Sequence, residues 1–197
     1  MHKFYLFLAL CLFPLSTFSA GPAVKGDSID WGFNGPLGKF NKSSLQRGLQ
    51  VYTEVCSSCH SLKYIAYRNL SDLGYNKSEI KAFASNFTVT DGPNDDGEMF
   101  ERPGMPSDHF VPPYPNMNAA RSANGGAYPP DLSLITKARG GGADYLYSLL
   151  IGYKKPPESF DVKEGLYYNK YYSGNLIVMP QPLYGDDVTY ADGTKAS

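Results

Sequence analysis

The sequence predicts a mainly α fold in which a few helices are joined by long Pro/Gly-rich loop insertions, and three observations carry that expectation. Apolar residues recur every three to four positions in three short stretches, the spacing of one helix face. The 20 Gly and 15 Pro are spread along the chain and favour turn-rich connections. The 197 residues, 42% hydrophobic and 19% charged, suffice for one globular domain of ordinary size and show no internal repeat.

At the N-terminus, Lys3 precedes an apolar run over residues 4–15, and small residues follow from Ser16. This is the pattern of a secretory leader, residues 1–20, with cleavage after Ser19, Ala20 or Ala23. Cys11 leaves with it, so the exported chain, residues 21–197, keeps only Cys56 and Cys59. No other stretch approaches the roughly 20 apolar residues that span a bilayer. After a loose segment containing Trp31, Gly32, Gly35, Pro36 and Gly38, residues 43–55 read as a helix. Ser43 and Gln46 have the form of a capping box, and Leu45, Leu49 and Tyr52 share a face. Residues 78–87 form a second helix through Ile80, Phe83, Ala84 and Phe87. Eight prolines between residues 91 and 130 leave little room for regular structure. A loop of that length implies a wrapped ligand or a binding task. Asp144 can cap a third helix through Ile151, stopped by Gly152, Pro156 and Pro157. A mixed loop, the apolar run of residues 176–179 and a polar tail with Gly185 and Gly193 complete the chain.

The formal net charge is −1, and loss of Lys3 with the leader makes it one unit more negative. No nucleic-acid partner is expected from that balance. Asp91, Asp95, Asp96, Glu98 and Glu101 occur with no basic residue among them. They read either as a solvated loop or as a docking face for a basic partner.

Chemistry concentrates in Cys56-Ser57-Ser58-Cys59-His60, the C-x-x-C-H signature of covalent c-type haem attachment. Two thiols on one turn can each add to one vinyl group of a porphyrin, and the adjacent His60 is carried under the iron. Export agrees, because this attachment follows secretion. A thioredoxin-like site would place its first Cys at a helix N-terminus after a strand, whereas here a helix precedes the cysteines. A disulfide between them closes too short a loop to stabilise much. The possible zinc set of Cys56, Cys59, His60 and His109 lacks the usual ligand spacing.

For the sixth iron ligand the residues offer Met99, Met105, Met117, Met179 and His109. Met more often fills a core than binds iron. Met179 is distinguished by the apolar Leu176-Ile177-Val178 leading into it and by Pro180 and Pro182 behind it. Met/His ligation raises the reduction potential and suits an electron carrier, whereas an open site suits gas sensing or peroxidase chemistry.

Five blocks in order, VCSSCHSLKYIAYRNL (55–70), DGPNDDGEMFERPGMPSDHF (91–110), ARSANGGAYPPDLSL (120–134), DYLYSLLIGYKKPP (144–157) and residues 179–194, resemble the cytochrome c1 family, the haem subunit of the quinol–cytochrome c reductase. The resemblance implies a cytochrome c-like haem domain, mainly α, with long insertions. It further implies one haem c on Cys56 and Cys59, His60 and Met179 as axial ligands, and Arg121 as the partner of a haem propionate. A carbonyl of the Pro129-Pro130 segment would orient His60.

The implied function is electron transfer: from the Rieske iron-sulfur protein, beside cytochrome b, to a cytochrome c acceptor, on the periplasmic face of the cell membrane. No substrate bond is made or broken by this subunit itself. The acidic loop would face the acceptor. Family members continue into a C-terminal membrane helix that residues up to Ser197 do not include, so a fragment, or a variant held by its partners, is expected. The competing readings are a free periplasmic electron shuttle and an open-site haem sensor or peroxidase.

Overall fold

The computed structural model describes residues 24–195; the leader and Cys11 lie outside the described residues. Helix α1 spans Lys42–Glu54. Its cap is Asn41, whose side chain accepts from the Ser44 amide at 3.0 Å, so the Ser43/Gln46 box does not form. Asn-Lys-Ser-Ser offers several residues able to cap, and the earliest, an Asn in extended conformation, starts the helix. Gln46 is thereby free to donate Nε2 to the Leu73 carbonyl at 3.0 Å. Leu49 is buried and Leu45 and Tyr52 half-buried, as the apolar stripe requires.

Helix α2, Lys77–Ala84, begins on a complete capping box: Asn76 accepts from the Ser78 and Glu79 amides, and Glu79 accepts from the Asn76 amide at 2.7 Å. It ends three residues short of the expected Phe87. Ile80 and Ala84 are buried, while Phe83 and Phe87 pack at the edge of the same cluster.

The proline-rich region holds more order than expected. Strands β1, Thr88–Asp91, and β2, Phe100–Pro103, pair antiparallel from Thr88 opposite Pro103 to Asp91 opposite Phe100. Helix α3, Met117–Ala123, is capped by Asn116, which accepts from the Ala119 amide at 2.9 Å. The prolines delimit these elements: Pro103 ends a two-stranded ribbon, where no inner ladder bond is lost. Pro112, Pro113 and Pro115 precede the Asn116 cap. Arg102 ties the ribbon down by bonding Asp91 and, at 2.6 and 3.0 Å, both oxygens of Asp108.

Residues 104–110 then cross residues 65–68, with Tyr67 N to Asp108 O at 2.9 Å, Arg68 N to Pro106 O at 2.7 Å and Phe110 N to Ile65 O at 3.0 Å. Between these layers and α1 lies the core. Tyr67 and Phe110 meet at 4.7 Å between ring centres, Tyr67 and Phe87 stack at 5.3 Å, and Tyr52 meets Phe110 edge-on at 6.0 Å. Offset and edge-on aromatic pairs of this kind add to the burial of their area.

After α4, Ile135–Ala138, helix α5 spans Gly142–Ile151. Asp144 is not its cap: Gly141, at φ 86°, holds that place. Asp144 instead sits in the first turn and accepts from Trp31 Nε1 at 2.6 Å and from the Ile29 amide at 3.3 Å. Buried Ser148 accepts from the Asp27 amide at 2.8 Å, so residues 26–31 are strapped across α5. Gly152 ends the helix as expected. Buried Asn169 donates to the Leu149 carbonyl at 2.7 Å, and Lys170 N donates to the Gly152 carbonyl at 3.0 Å. These bonds dock strands β3, Tyr167–Tyr168, and β4, Leu176–Ile177, onto the end of α5. Helix outweighs strand among the described residues, and loop outweighs both. No described helix is long and apolar enough to cross a membrane.

Phe110, 4% exposed, joins α1 to the crossing layers, so Phe110→Ala is expected to cost about 3–5 kcal/mol of stability in urea unfolding. The Arg102 guanidinium holds both Asp91 and Asp108 below the usual carboxylate range. Their contribution is therefore complete above the unfolded value of about 3.9 and is lost as pH falls through the lower folded values. Amide exchange in β1 and β2 should accelerate across that acid window, and the acceleration should be blunted in Arg102→Gln.

Candidate haem-binding site

The cysteine motif begins where α1 ends. Val55 N closes α1 with a bond to Val51 O, and residues Cys56–Ser58 tighten into a 3-10 turn. Cys59 N and His60 N both donate to the Cys56 carbonyl, at 3.1 and 2.8 Å, which places the two thiols and the imidazole on one turn. The intervening serines fold back: Ser57 Oγ donates to Thr53 O at 2.7 Å and Ser58 Oγ to Val55 O at 2.8 Å. They satisfy carbonyls that a helix end leaves open. Both cysteines are unbridged and partly exposed. Burial, and then the neighbouring Cys59, push the Cys56 thiol above its usual pKa. A thioredoxin-like nucleophile needs the opposite shift.

His60 Nδ1 lies 2.8 Å from the Pro130 carbonyl. A carbonyl only accepts, so Nδ1 carries the proton and the Nε2 lone pair is left for a ligand. The expected orienting carbonyl is thus that of Pro130. Around this bond, residues 60–64 and 130–134 are closed on each other. Asp131 accepts from Ser61 Oγ at 2.7 Å, from the Lys63 amide at 2.9 Å and from the Ser133 amide at 2.9 Å. Leu132 N donates to Ser61 O at 2.8 Å, and Tyr64 N to Ser133 Oγ at 3.1 Å. Burial would raise the Asp131 pKa, but the bonds from Ser133, Ser61 and Lys63 outweigh it and hold the carboxyl low. Behind the motif, Tyr52 donates its hydroxyl to the His60 carbonyl at 3.0 Å.

Of the five candidate sixth ligands, Met99, Met105 and Met117 are 61%, 45% and 53% exposed. His109 is exposed, with Nδ1 against the Lys63 carbonyl at 2.6 Å and its backbone bridging Ala66. Met179 is half-buried, just past β4, and its carbonyl accepts from Tyr153 OH at 3.0 Å. The loop before it approaches the cysteine side: a Cβ at Gly125 would meet Val178 Cγ1 at 3.9 Å. Neighbouring Asn124 donates to Tyr114 OH at 3.1 Å, and that hydroxyl lies 3.9 Å from Cys59 Sγ. Gly125 and Gly126 both have positive φ, 59° and 86°, which a side chain would strain. Arg121, in α3, is exposed; its Nη1 donates to the Gly126 carbonyl at 2.9 Å and its guanidinium lies 5.9 Å from the Tyr128 ring centre.

The site suits a covalently held haem on the chemistry of its donors: two open thiols on one turn, and an imidazole whose Nδ1 is taken by the Pro130 carbonyl so that Nε2 is the nitrogen left for a ligand. A sequence model of the Cytochrome C1 family matches residues 31–197.

The chain belongs to the cytochrome C1 family.

Its relatives agree. The chain is 52% identical over 174 residues to the mitochondrial haem protein cytochrome c1 1 of Arabidopsis thaliana, covering 88% of this chain and 57% of that one. It is 47% identical over 184 residues to cytochrome c1 of Rhodospirillum rubrum, covering 85% and 68%. It is 51% identical over 189 residues to cytochrome b/c1 of Bradyrhizobium diazoefficiens, covering 85% and 28%. The chain therefore spans about a quarter to two thirds of the length of these relatives.

Several residues around the cysteine turn have contacts that the sequence does not assign them. Asp131 sits in Pro-Pro-Asp-Leu-Ser, where an Asp whose side chain accepts from the amide two residues on is a turn signal. Tyr52 lies on an otherwise aliphatic stripe, and a tyrosine there asks for a hydroxyl partner. Tyr153, Tyr114 and Asn124 carried no such signal.

Burial pushes the Tyr153 hydroxyl pKa up, so it remains a donor to Met179 O throughout the neutral range. Tyr153→Phe is expected to cost about 1 kcal/mol in thermal unfolding, with faster exchange of backbone amides around residue 179.

Proposed function

We propose that this chain is the electron-transferring haem domain of a quinol–cytochrome c reductase, with one haem c attached through Cys56 and Cys59 and with His60 and Met179 as axial ligands. The observation that carries the reading is the His60 Nδ1 to Pro130 O bond, on the same turn as two unbridged thiols. It fixes the imidazole's tautomer and direction before any ligand is present. Family membership supports it, as do the printed names of the relatives, one of which is the catalytic subunit of a cytochrome b-c1 complex in Candida albicans.

Bound haem would supply a one-electron couple. The chain's own residues do the rest. Cys56 and Cys59 tether, His60 donates Nε2 in a set direction, and the Tyr52 and Pro130 contacts resist its movement. Little reorganisation then accompanies a change of charge. Met179, brought in by β4 and held at its carbonyl by Tyr153, supplies a thioether, and such ligation raises the reduction potential. Arg121, near Gly126 and Tyr128, would be the propionate partner, since a guanidinium can hold a carboxylate by two bonds.

The electron would arrive from a Rieske iron-sulfur protein beside cytochrome b and leave to a cytochrome c, at the periplasmic face of the membrane. Asp95, Asp96, Glu98 and Glu101 are exposed and suit a basic acceptor. Asp91 contributes less, since Arg102 neutralises it.

The test is the reduced pyridine haemochrome of the full chain made with a c-type maturation system, beside Met179→Leu. A c-type band in both, with the methionine-to-iron charge-transfer absorption lost in the variant, is the expected result. Absence of covalent haem would overturn the reading, and carbon monoxide binding by the reduced native protein would replace it with an open-site sensor or peroxidase.

A further inference from the structure

We infer that Asp131 is a positioning residue for His60, setting the strength of the imidazole as an iron donor through the Pro130 carbonyl. The inference rests on the proposed ligation by His60.

Pro129 and Pro130 have no amide hydrogen, so the segment that carries the orienting carbonyl cannot anchor itself by its own backbone donors. The first groups able to fix it are those of the next two residues. Leu132 supplies one bond, from its amide to the Ser61 carbonyl at 2.8 Å. Asp131 supplies the others. One carboxylate oxygen takes Ser61 Oγ at 2.7 Å and the Lys63 amide at 2.9 Å, and the other takes the Ser133 amide at 2.9 Å. Ser61 and Lys63 are the residues just after His60, and Ser133 closes the turn just after Pro130. One carboxylate thus spans both sides of the His60–Pro130 bond, and it does so with three neutral donors and no ion pair among the described residues. Bonds to an ionised acceptor are shorter and stronger than neutral ones.

A well-placed carbonyl on the far ring nitrogen increases the basicity of the ligating nitrogen. Greater basicity favours the oxidised, more positive iron. Loosening the clamp should therefore weaken the Nδ1–H bond and raise the reduction potential while leaving the covalent attachment in place.

Asp131→Asn keeps the volume but loses the charge and one acceptor oxygen. Ser61→Ala leaves the charge and removes one donor, so it separates positioning from the simple removal of an anion near the haem. It is also the milder change to the fold. Each full-length holoprotein is assayed for covalent haem, for midpoint potential, and by proton NMR of the reduced form for exchange of the His60 Nδ1 hydrogen. Both variants are expected to keep covalent haem. Nδ1–H exchange should be roughly tenfold faster in each, and the oxidised-to-reduced ratio at fixed potential should move toward the reduced form by up to roughly tenfold, about 59 mV for one electron. If Ser61→Ala leaves the exchange and the potential unchanged while lowering only the melting temperature, Asp131 is structural and the inference is overturned. A wild-type spectrum without covalent haem or His60 ligation overturns the ligation reading itself, and is seen before any variant is compared.

Discussion

The bond between His60 Nδ1 and the Pro130 carbonyl ties together two segments seventy residues apart, and much of the fold is arranged to make that bond possible. On one side, α1 must end where it does, so that Cys56, Cys59 and His60 fall on a single tight turn. On the other, a segment without amide donors must present its carbonyl at a fixed height. A proline carbonyl is well suited to this, because its restricted φ limits the ways the chain can deliver it.

The core serves the same bond from behind. Tyr52 belongs to the core by its ring, edge-on to Phe110 at 6.0 Å, and to the haem motif by its hydroxyl, which holds the His60 carbonyl at 3.0 Å. Phe110 in turn lies on the segment that crosses residues 65–68, pinned by its own amide to the Ile65 carbonyl and by the bonds to Pro106 and Asp108 before it. Displacing the His60 backbone therefore means disturbing aromatic packing as well as breaking a hydrogen bond. Packed interiors yield in discrete steps rather than by drifting. This gives the turn after α1 a stiffness that its own short 3-10 geometry would not supply.

How far the sequence alone revealed this arrangement depended on the range of the interactions. The C-x-x-C-H motif, the apolar stripe of α1 and the stop at Gly152 are local, and each was legible from spacing. The caps were less so, because several adjacent residues could serve: Asn41 prevailed over Ser43, and Gly141 took the place expected for Asp144. Asp144 was claimed by Trp31 and Ile29, a contact across more than a hundred residues that no local pattern announces. The prolines misled in a different way. Their density predicts little regular structure between residues 91 and 130, yet they stand at the borders of the β1–β2 ribbon and of α3. Asp131 stood in plain view after two prolines, but its partners Ser61 and Lys63 come from the far side of the chain.

The two faces of the proposed haem site are built unequally. His60 is held by its attachment to the cysteine turn, by Pro130 at its ring and by Tyr52 at its carbonyl, with the Asp131 bonds reinforcing the loop opposite. Met179 has one hydrogen bond to its own backbone, from Tyr153, and relies on the stub of strand β4 and on the contact of Val178 with the Gly125 turn. That turn needs two residues at positive φ, so it keeps its close approach only while both are glycine. A thioether is also a weaker and more flexible donor than an imidazole. The methionine face is accordingly the softer of the two, and its geometry depends on long-range docking of β3 and β4 against α5 through Asn169. The redox properties of such a site would be fixed on the histidine side by local rigidity and be adjustable on the methionine side by the packing of distant loops.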